Sequence, residues 1–287
     1  MTEQHDVVII GGGAAGLSAA TVLGRFRRSV LVVDSGEPRN APAEGVHNFL
    51  TRDGMPPAEL LAAGRAEAEG YGVRVERGEV LSARREGDFV LATTLGEVRA
   101  RRILLATGTV DELPALDGLA ELWGHDVIHC PYCHGWEVRD RAIGVLGSAH
   151  QAMLFRQLSD RVTFFGADEG LRARGITVVE DAVEGVVVRD GRLAAVRAGG
   201  VEHSVEALAV ATRLHARAGM LAGIGLEAVE HPSGMGTHVP ADARGQTAVP
   251  GVWAAGNVTD PMAQVVVAAA QGMMAGAAIN GDLVLEG

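Results

Sequence analysis

The stretch VVIIGGGAAGLSAATVLGRF, from Val7 to Phe26, constrains the fold more than any other part of the chain. Val7 to Ile10 is a short apolar run rich in β-branched residues, the pattern of a buried strand. Gly11, Gly13 and Gly16 fit G-x-G-x-x-G, and LSAATVLGRF reads as the helix that follows. SVLVVD, Ser29 to Asp34, reads as a second buried strand, and its acid stands about 20 residues after the glycines. The physics of such a unit is specific. Glycines let the backbone approach a pyrophosphate, and the helix N-terminus offers its N–H groups to it. An acid at the end of the next strand can accept hydrogen bonds from ribose hydroxyls. A plain tight turn would need none of this context.

The rest of the chain repeats the theme. PPAELLAAGRAEAEGYG reads as a helix, with prolines at its start and glycines at its end. VRVERGEVLSARREGDFVLATTLGEVRARRILLAT reads as alternating strands, a β-meander that returns to a buried strand over RRILLATG. DELPALDGL is rich in turn formers and reads as a linker. RAIGVLGSAHQAMLFRQLSDRVTFFG, from Arg141, again gives strand, glycine turn, helix and strand, with short strands continuing to about residue 212. VPADARGQTAVPGVWAAGN returns to turns and a strand, and a last helix is expected over Val265 to Ile279. The fold class is therefore α/β, with two Rossmann-like nucleotide-binding domains of three layers (ββα), the second inserted in the first. The expected boundaries are 1–113 with 241–287 for the outer domain and 114–240 for the insert. A chain of 287 residues is long enough for this.

Charge and cysteine use narrow the function. A formal charge of -11 argues against nucleic acid or an anionic membrane as partner. No basic n-region precedes the first apolar run, so no signal peptide is evident. VVVAAAQGMMAGAAI is broken by Gln271 and Gly272 and is too short to span a bilayer. With no disulfide framework, a cytoplasmic location is expected.

The only two cysteines, Cys130 and Cys133, lie in HCPYCHGWE. A zinc site needs about four ligands, and there is no second cysteine pair, though His125, His129 and His134 are nearby. A structural disulfide would close too small a loop to stabilise much. Inert buried thiols are a third reading. A redox pair is the fourth, because Cys-x-x-Cys favours a lowered thiol pKa.

VVIIGGGAAGLSAA, CPYC and GVWAAGNVTD, in this order, make nearly the whole chain resemble the low-molecular-weight thioredoxin reductases and their flavoprotein relatives. The resemblance implies FAD in the split outer domain and a homodimer formed through that domain. Gly11, Gly13, Ala14 and Gly16 would approach the FAD pyrophosphate, and Asp34 would hold the adenosine ribose. Thr107 and Gly108 would line the cofactor, as would Val80. Asn48 and Gln264, with Val265 beside it, match positions near the flavin. Gly256 and Asn257 stand where the family has Gly-Asp, whose carboxylate holds the ribitol. Asn257 is a departure, but an amide can still bond to hydroxyls. By the same resemblance, Cys133 faces the flavin and Cys130 exchanges with substrate. His134 replaces the family's acid/base aspartate, and imidazole, with an ordinary pKa of about 6.5, can both take and return a thiol proton. His129 is the alternative proton handler.

Two departures in the insert bear on direction. The family's NADPH turn is G-x-G-x-x-A, and here it reads GSAHQA, with Ala149 where the middle glycine belongs. Asp168 and Glu169 stand where a basic cluster would meet the 2′-phosphate, although Arg172 and Arg174 follow. Both argue against a competent NADPH site. The string C-x-x-C-H-G-W-E is similar to that of the flavin-dependent dithiol oxidases, such as those closing the disulfides of gliotoxin and holomycin. The expected function is FAD-dependent oxidation of a dithiol with O2 as acceptor. The alternatives are a thioredoxin reductase-like disulfide reductase fed by NADPH or another donor, acting on a protein or small disulfide, and a flavin redox sensor without turnover.

Overall fold

The computed structural model describes residues 3–286. The chain divides into two compact units: Asp111–Arg213, and the chain on both sides of it. In the first unit β1 is Glu3–Ile10, α1 Ala14–Arg25, β2 Val30–Asp34, α2 Pro57–Glu69 and β3 Arg74–Arg77. The meander is β4 Val80–Glu86, β5 Asp88–Thr93 and β6 Gly96–Leu105. Strands β3, β2, β1 and β6 run parallel. β6 is shared between two sheet patterns: Gly96 to Ala100 pair antiparallel with β5, and Ile103 to Leu105 pair parallel with a late strand, Val252–Ala254.

Strand period decides the layers. Val7, Ile9, Val30 and Val32 face α1 and the last helix, where Ala19, Leu23, Ala275 and Ile279 are buried. Val8, Ile10, Leu31 and Val33 face the other way, onto Phe89, Leu91, Leu221 and Val239. The outcome is helices on one face and a β layer on the other.

The second unit repeats this plan. The crossing strand is β7 Thr109–Glu112, followed by β8 Val127–Ile128, α3 Pro131–His134, β9 Ile143–Leu146, α4 Ala149–Phe155 and β10 Val162–Phe165. Then come α5 Glu169–Arg172, β11 Thr177–Val179, β12 Val183–Arg189, β13 Arg192–Ala198, β14 Val201–Ser204 and β15 Ala207–Val210. Its sheet has the order β11-β10-β9-β15-β8 and is parallel throughout. Ala207 and Ala209 of β15 pack toward Ala152 and Phe155 of α4. Leu208 and Val210 pack toward Leu193 and Val196 of the antiparallel β12-β13-β14 sheet. Asp126, buried at the start of β8, ties that sheet down: it accepts from Arg192 at 2.8 and 2.6 Å and from the Leu193 N–H at 3.0 Å. The Arg192 guanidinium holds the Asp126 carboxyl below its usual range.

The return crossing is β16 Arg213–Ala216, and β17 Val229–Glu230 and β18 Thr237–His238 form a hairpin after it. β19 is Val252–Ala254 and α6 Val265–Leu285. Two expectations change here. Residues 214–240 belong to the first unit, not the insert, because Ala218, Leu221, Leu226 and Val239 are buried in its core. The last helix does not stop at Ile279. Asn280 accepts from Arg28 at 2.7 Å, and Asp282 accepts from the buried Arg102 at 2.5 Å, so polar contacts carry the helix on to Leu285. Its seat on α1 is very close: a Cβ on Gly272 would stand 1.9 Å from the Ala15 carbonyl oxygen.

Candidate functional site

In the first unit the expected cofactor residues collect at the carboxyl edge of the parallel sheet. Ile10 is in register with Val33 and with Leu105, and Leu105 with Ala254. The residues that follow these positions, Gly11, Asp34, Thr107–Gly108 and Gly256–Asn257, therefore lie side by side. Ligands of open α/β sheets bind at this edge.

The glycine turn has the shape a pyrophosphate needs. A Cβ on Gly11 would meet the Ala106 carbonyl oxygen at 2.4 Å, and one on Gly16 would meet the Gly11 oxygen at 1.9 Å. These two glycines bring strand, turn and helix into contact. Gly13 differs, with nothing within 4 Å of an added Cβ. It is the N-cap of α1 and offers no side-chain cap, so the start of the helix faces open space. Asp34 accepts from the Gly12 N–H at 3.0 Å and from Arg65 at 3.3 Å. These residues fit the adenosine and pyrophosphate end of a dinucleotide such as FAD. Gly12 and Arg65 escape the sequence motif. A Cβ on Gly12 would stand 2.7 Å from the Asp34 carboxyl carbon, so this position too excludes a side chain.

The far end of the site is built on the last block. The Gly256 N–H donates to Gln271 at 3.0 Å, and Gln271 donates to Asp260 at 3.3 Å. Asn257 spends its amide nitrogen on three carbonyls, those of Asp260, Pro261 and Ala263, at 3.3, 3.2 and 2.8 Å. A carboxylate there would repel all three, which accounts for asparagine in place of aspartate. The Asn257 side-chain oxygen is the atom left to accept from a hydroxyl. Gln264 is the N-cap of α6, with Val265 its first residue. The Thr107 hydroxyl donates to the Arg217 carbonyl at 2.7 Å, and the Gly108 carbonyl accepts from the Arg217 N–H at 3.2 Å.

Asn48 and Val80 lie outside this row. Asn48 has a φ of 61°, a left-handed backbone asparagine tolerates, and its N–H donates to Asp53 at 2.9 Å. That bond, with His47 beside it, holds the Asp53 carboxyl below its usual range. Val80 is a buried core residue at the start of β4.

In the second unit the dithiol also sits at a carboxyl edge, just past β8. Cys130 is the N-cap of α3, Pro131 its first residue and His134 its last. The N–H groups of Cys133 and His134 both donate to the Cys130 carbonyl at 3.1 Å, which closes the CxxC into one helical turn. Both cysteines and both histidines are half-buried, and the ring nitrogens of His134 are shielded from solvent. A Cβ on Gly135 would stand 2.3 Å from the Pro131 oxygen, so this glycine lets the chain turn away directly after His134. Trp136 is exposed, and the Arg139 guanidinium stacks over it, 4.1 Å from the ring centroid. Among the described residues, no three His, Cys, Asp or Glu side chains group to hold a metal ion.

The second glycine turn contrasts with the first. α4 has 7 residues against 12 in α1. Its N-cap Ser148 accepts from the Gln151 N–H at 3.2 Å, so the helix start is capped by its own side chain. The Gln151 side-chain oxygen lies 2.1 Å from where a Cβ on Gly147 would stand. Asp168 caps α5 by accepting from the Gly170 N–H at 2.9 Å, and Arg172 is paired with Glu180 at 2.9 Å. Ser148 before a helix is a legible capping signal, whereas nothing in the sequence announces Gln151.

Comparison with known proteins agrees with this arrangement. The model of the pyridine nucleotide-disulphide oxidoreductase family matches residues 5–272. A thioredoxin reductase tcpT of Claviceps purpurea is 33% identical over 308 residues, covering 98% of this chain and 95% of that protein. A probable thioredoxin reductase of Arthroderma benhamiae is 36% identical over 160 residues, 53% of this chain and 40% of that protein. The crystal structure of HlmI has a TM-score of 0.91 and 43% identity, covering 100% of this chain and 95% of that one. The family is one of FAD proteins, and the open glycine turn with Asp34 fits that cofactor. The chain thus belongs to the pyridine nucleotide-disulphide oxidoreductase family and is an FAD-dependent oxidoreductase of its thioredoxin reductase-like branch.

Proposed function

We propose that this protein oxidises a dithiol to a disulfide, with Cys130 and Cys133 as the redox pair, FAD as cofactor and O2 as final acceptor. One contrast carries the reading: the first nucleotide turn is open and uncapped, and the second is filled by its own side chains. A hydride donor such as NADPH lacks the cradle that FAD has. The dithiol motif is the remaining entry for electrons.

The chain's own residues perform the thiol chemistry. A substrate thiolate attacks Cys130 of the Cys130–Cys133 disulfide, forming a mixed disulfide and releasing the Cys133 thiolate. The second substrate thiolate attacks the mixed disulfide and leaves Cys130 as the displaced thiolate. The substrate departs as a disulfide, and the pair has gained two electrons. His134 accepts and returns protons in these exchanges, with His129 the competing candidate. FAD, held through Gly11, Gly13 and Asp34, would supply the two-electron oxidation that restores the disulfide, with O2 reduced to H2O2.

The substrate class is a dithiol; the alternative, reduction of a disulfide, would need a donor such as NADPH. Anaerobic mixing tests the reading: dithiothreitol bleaches the flavin and NADPH does not. We also assign the protein to a homodimer paired through the outer face of α6, where Val266, Val267, Met273 and Met274 are exposed. A dimer by light scattering at micromolar concentration is expected, and a monomer contradicts the assignment.

A further inference from the structure

Between Val265 and Ile279 the apolar helix α6 carries one polar side chain, Gln271, and Gly272 follows it. These two residues touch different ends of the cofactor row. Gly272 lies on the first turn of α1, where an added Cβ would stand 1.9 Å from the Ala15 carbonyl oxygen. Gln271 reaches the late loop instead. Its side-chain oxygen accepts from the Gly256 N–H at 3.0 Å, and its amide nitrogen donates to Asp260 at 3.3 Å. Gly256 is buried, with a φ of 80°, and an added Cβ would meet the Ala15 Cβ at 3.0 Å and the Ala268 Cβ at 3.7 Å.

The loop has bonds of its own. The Gly256 carbonyl accepts from the Thr259 and Asp260 N–H groups at 2.9 and 3.0 Å and from the Thr259 hydroxyl at 3.0 Å. The β17–β18 hairpin holds its outer side: the Val239 N–H donates to Val258 at 2.8 Å, and His238 meets the Thr259 carbonyl at 3.1 Å. The loop is therefore formed without Gln271, and the question is where it sits. The chain enters α6 at Gln264, and Gln271, two turns on, reaches back to the loop's first residue.

We propose that Gln271 is a positioning residue for FAD, setting the register between the pyrophosphate end at the start of α1 and the loop whose Asn257 oxygen is left for a cofactor hydroxyl. The inference rests on the assignment of FAD to this row and not on the direction of electron flow. An amide is required because the two partners differ in kind. The Gly256 N–H needs an acceptor and the Asp260 carboxylate needs a donor. A carboxylate at 271 would serve the first and repel the second.

Exchange of bound FAD for an excess of labelled FAD reads this register in the loaded protein without turnover. Gln271→Glu is expected to release FAD about tenfold faster, the scale of one hydrogen bond to a charged group. Asp260→Asn should act likewise. Asp260 also accepts from the Met262 N–H at 3.2 Å, so the new amide nitrogen would face a donor on one side or the other. The double variant reverses the pair: the new amide at 260 donates to the new carboxylate at 271, which still accepts from Gly256. Its release rate should return to within about twofold of wild type, a coupling that independent effects cannot give. It also decides the matter if a single variant holds no FAD. ADP, which carries the adenosine and pyrophosphate alone, should bind unloaded Gln271→Glu and unloaded wild type equally. A wild-type release rate in Gln271→Glu, a double variant as fast as the faster single, or an equal loss of ADP and FAD would overturn the proposal. If dithiothreitol fails to bleach the flavin, the functional reading fails while these exchange rates stand.

Discussion

Cys133→Ser is expected to keep its FAD and to lose flavin bleaching by dithiols by a factor on the order of 10³ or more, the scale seen when a covalent nucleophile is removed. The loss follows from the exchange sequence. Without Cys133 no Cys130–Cys133 disulfide can form, so a substrate thiolate has no disulfide to attack; Cys130 alone can only exchange with a disulfide already present. Cys130→Ser is expected to lose dithiol oxidation to the same extent, for the opposite reason: the substrate-facing sulfur is gone. The two variants separate by trapping. Cys133→Ser should accumulate a stable mixed disulfide at Cys130 when treated with an aromatic disulfide, visible by intact mass. Cys130→Ser should label far more slowly. If Cys133 of the second variant traps faster, the two roles are reversed. Flavin content is a control for both, because Gly11, Gly13 and Asp34, the residues proposed to hold FAD, belong to the other unit of the chain.

His134→Ala is expected to slow thiol–disulfide exchange by about 10² to 10⁴-fold, the usual range for a general acid/base. Its place supports the role. His134 closes the single turn of α3, and its ring nitrogens are shielded from solvent beside the dithiol. The pH profile should lose the limb that the acid/base group contributes. His134→Asp should restore part of the rate by returning a carboxylate acid/base to that position. Stopped-flow flavin reduction by dithiothreitol across pH measures this. A near-normal rate and an unchanged profile in His134→Ala would move the role to His129, whose replacement by alanine would then be slow.

Much of this was legible in the sequence where local chemistry fixes local structure. The turn from Gly11 to Gly16 could be read because sterics allow little but glycine at Gly11 and Gly16. The β-branched runs of β1 and β2 gave the layers, since strand period fixes which residues face which side. Residues 214–240 were not legible. Leu221, Leu226 and Val239 are core residues on short 3₁₀ and coil segments, where apolar spacing carries no period. Asn280–Gly281 looks like a helix stop, and only the distant Arg28 and Arg102 show why α6 continues. At the site, motif residues were visible and their supports were not. Gln151, Gln271 and Arg65 act through side chains that reach across the fold to partners the motif does not name. Asn257 shows the limit of position matching: its amide nitrogen is bound to its own loop, a use that no spacing reveals.

The central claim is that electrons enter through the dithiol and not through the second nucleotide turn. Anaerobic stopped-flow mixing of the FAD-loaded wild-type protein tests it most directly. With excess dithiothreitol the flavin absorbance should bleach within the enzyme's turnover time, and admitted O2 should restore it with one H2O2 formed per disulfide. With NADPH the absorbance should stay unchanged over the same interval, as the proposed reading requires; in the second turn the Ser148 side chain caps α4 and the Gln151 amide lies over Gly147. Rapid bleaching by NADPH, with dithiothreitol inert, would contradict the account and make the protein a reductase.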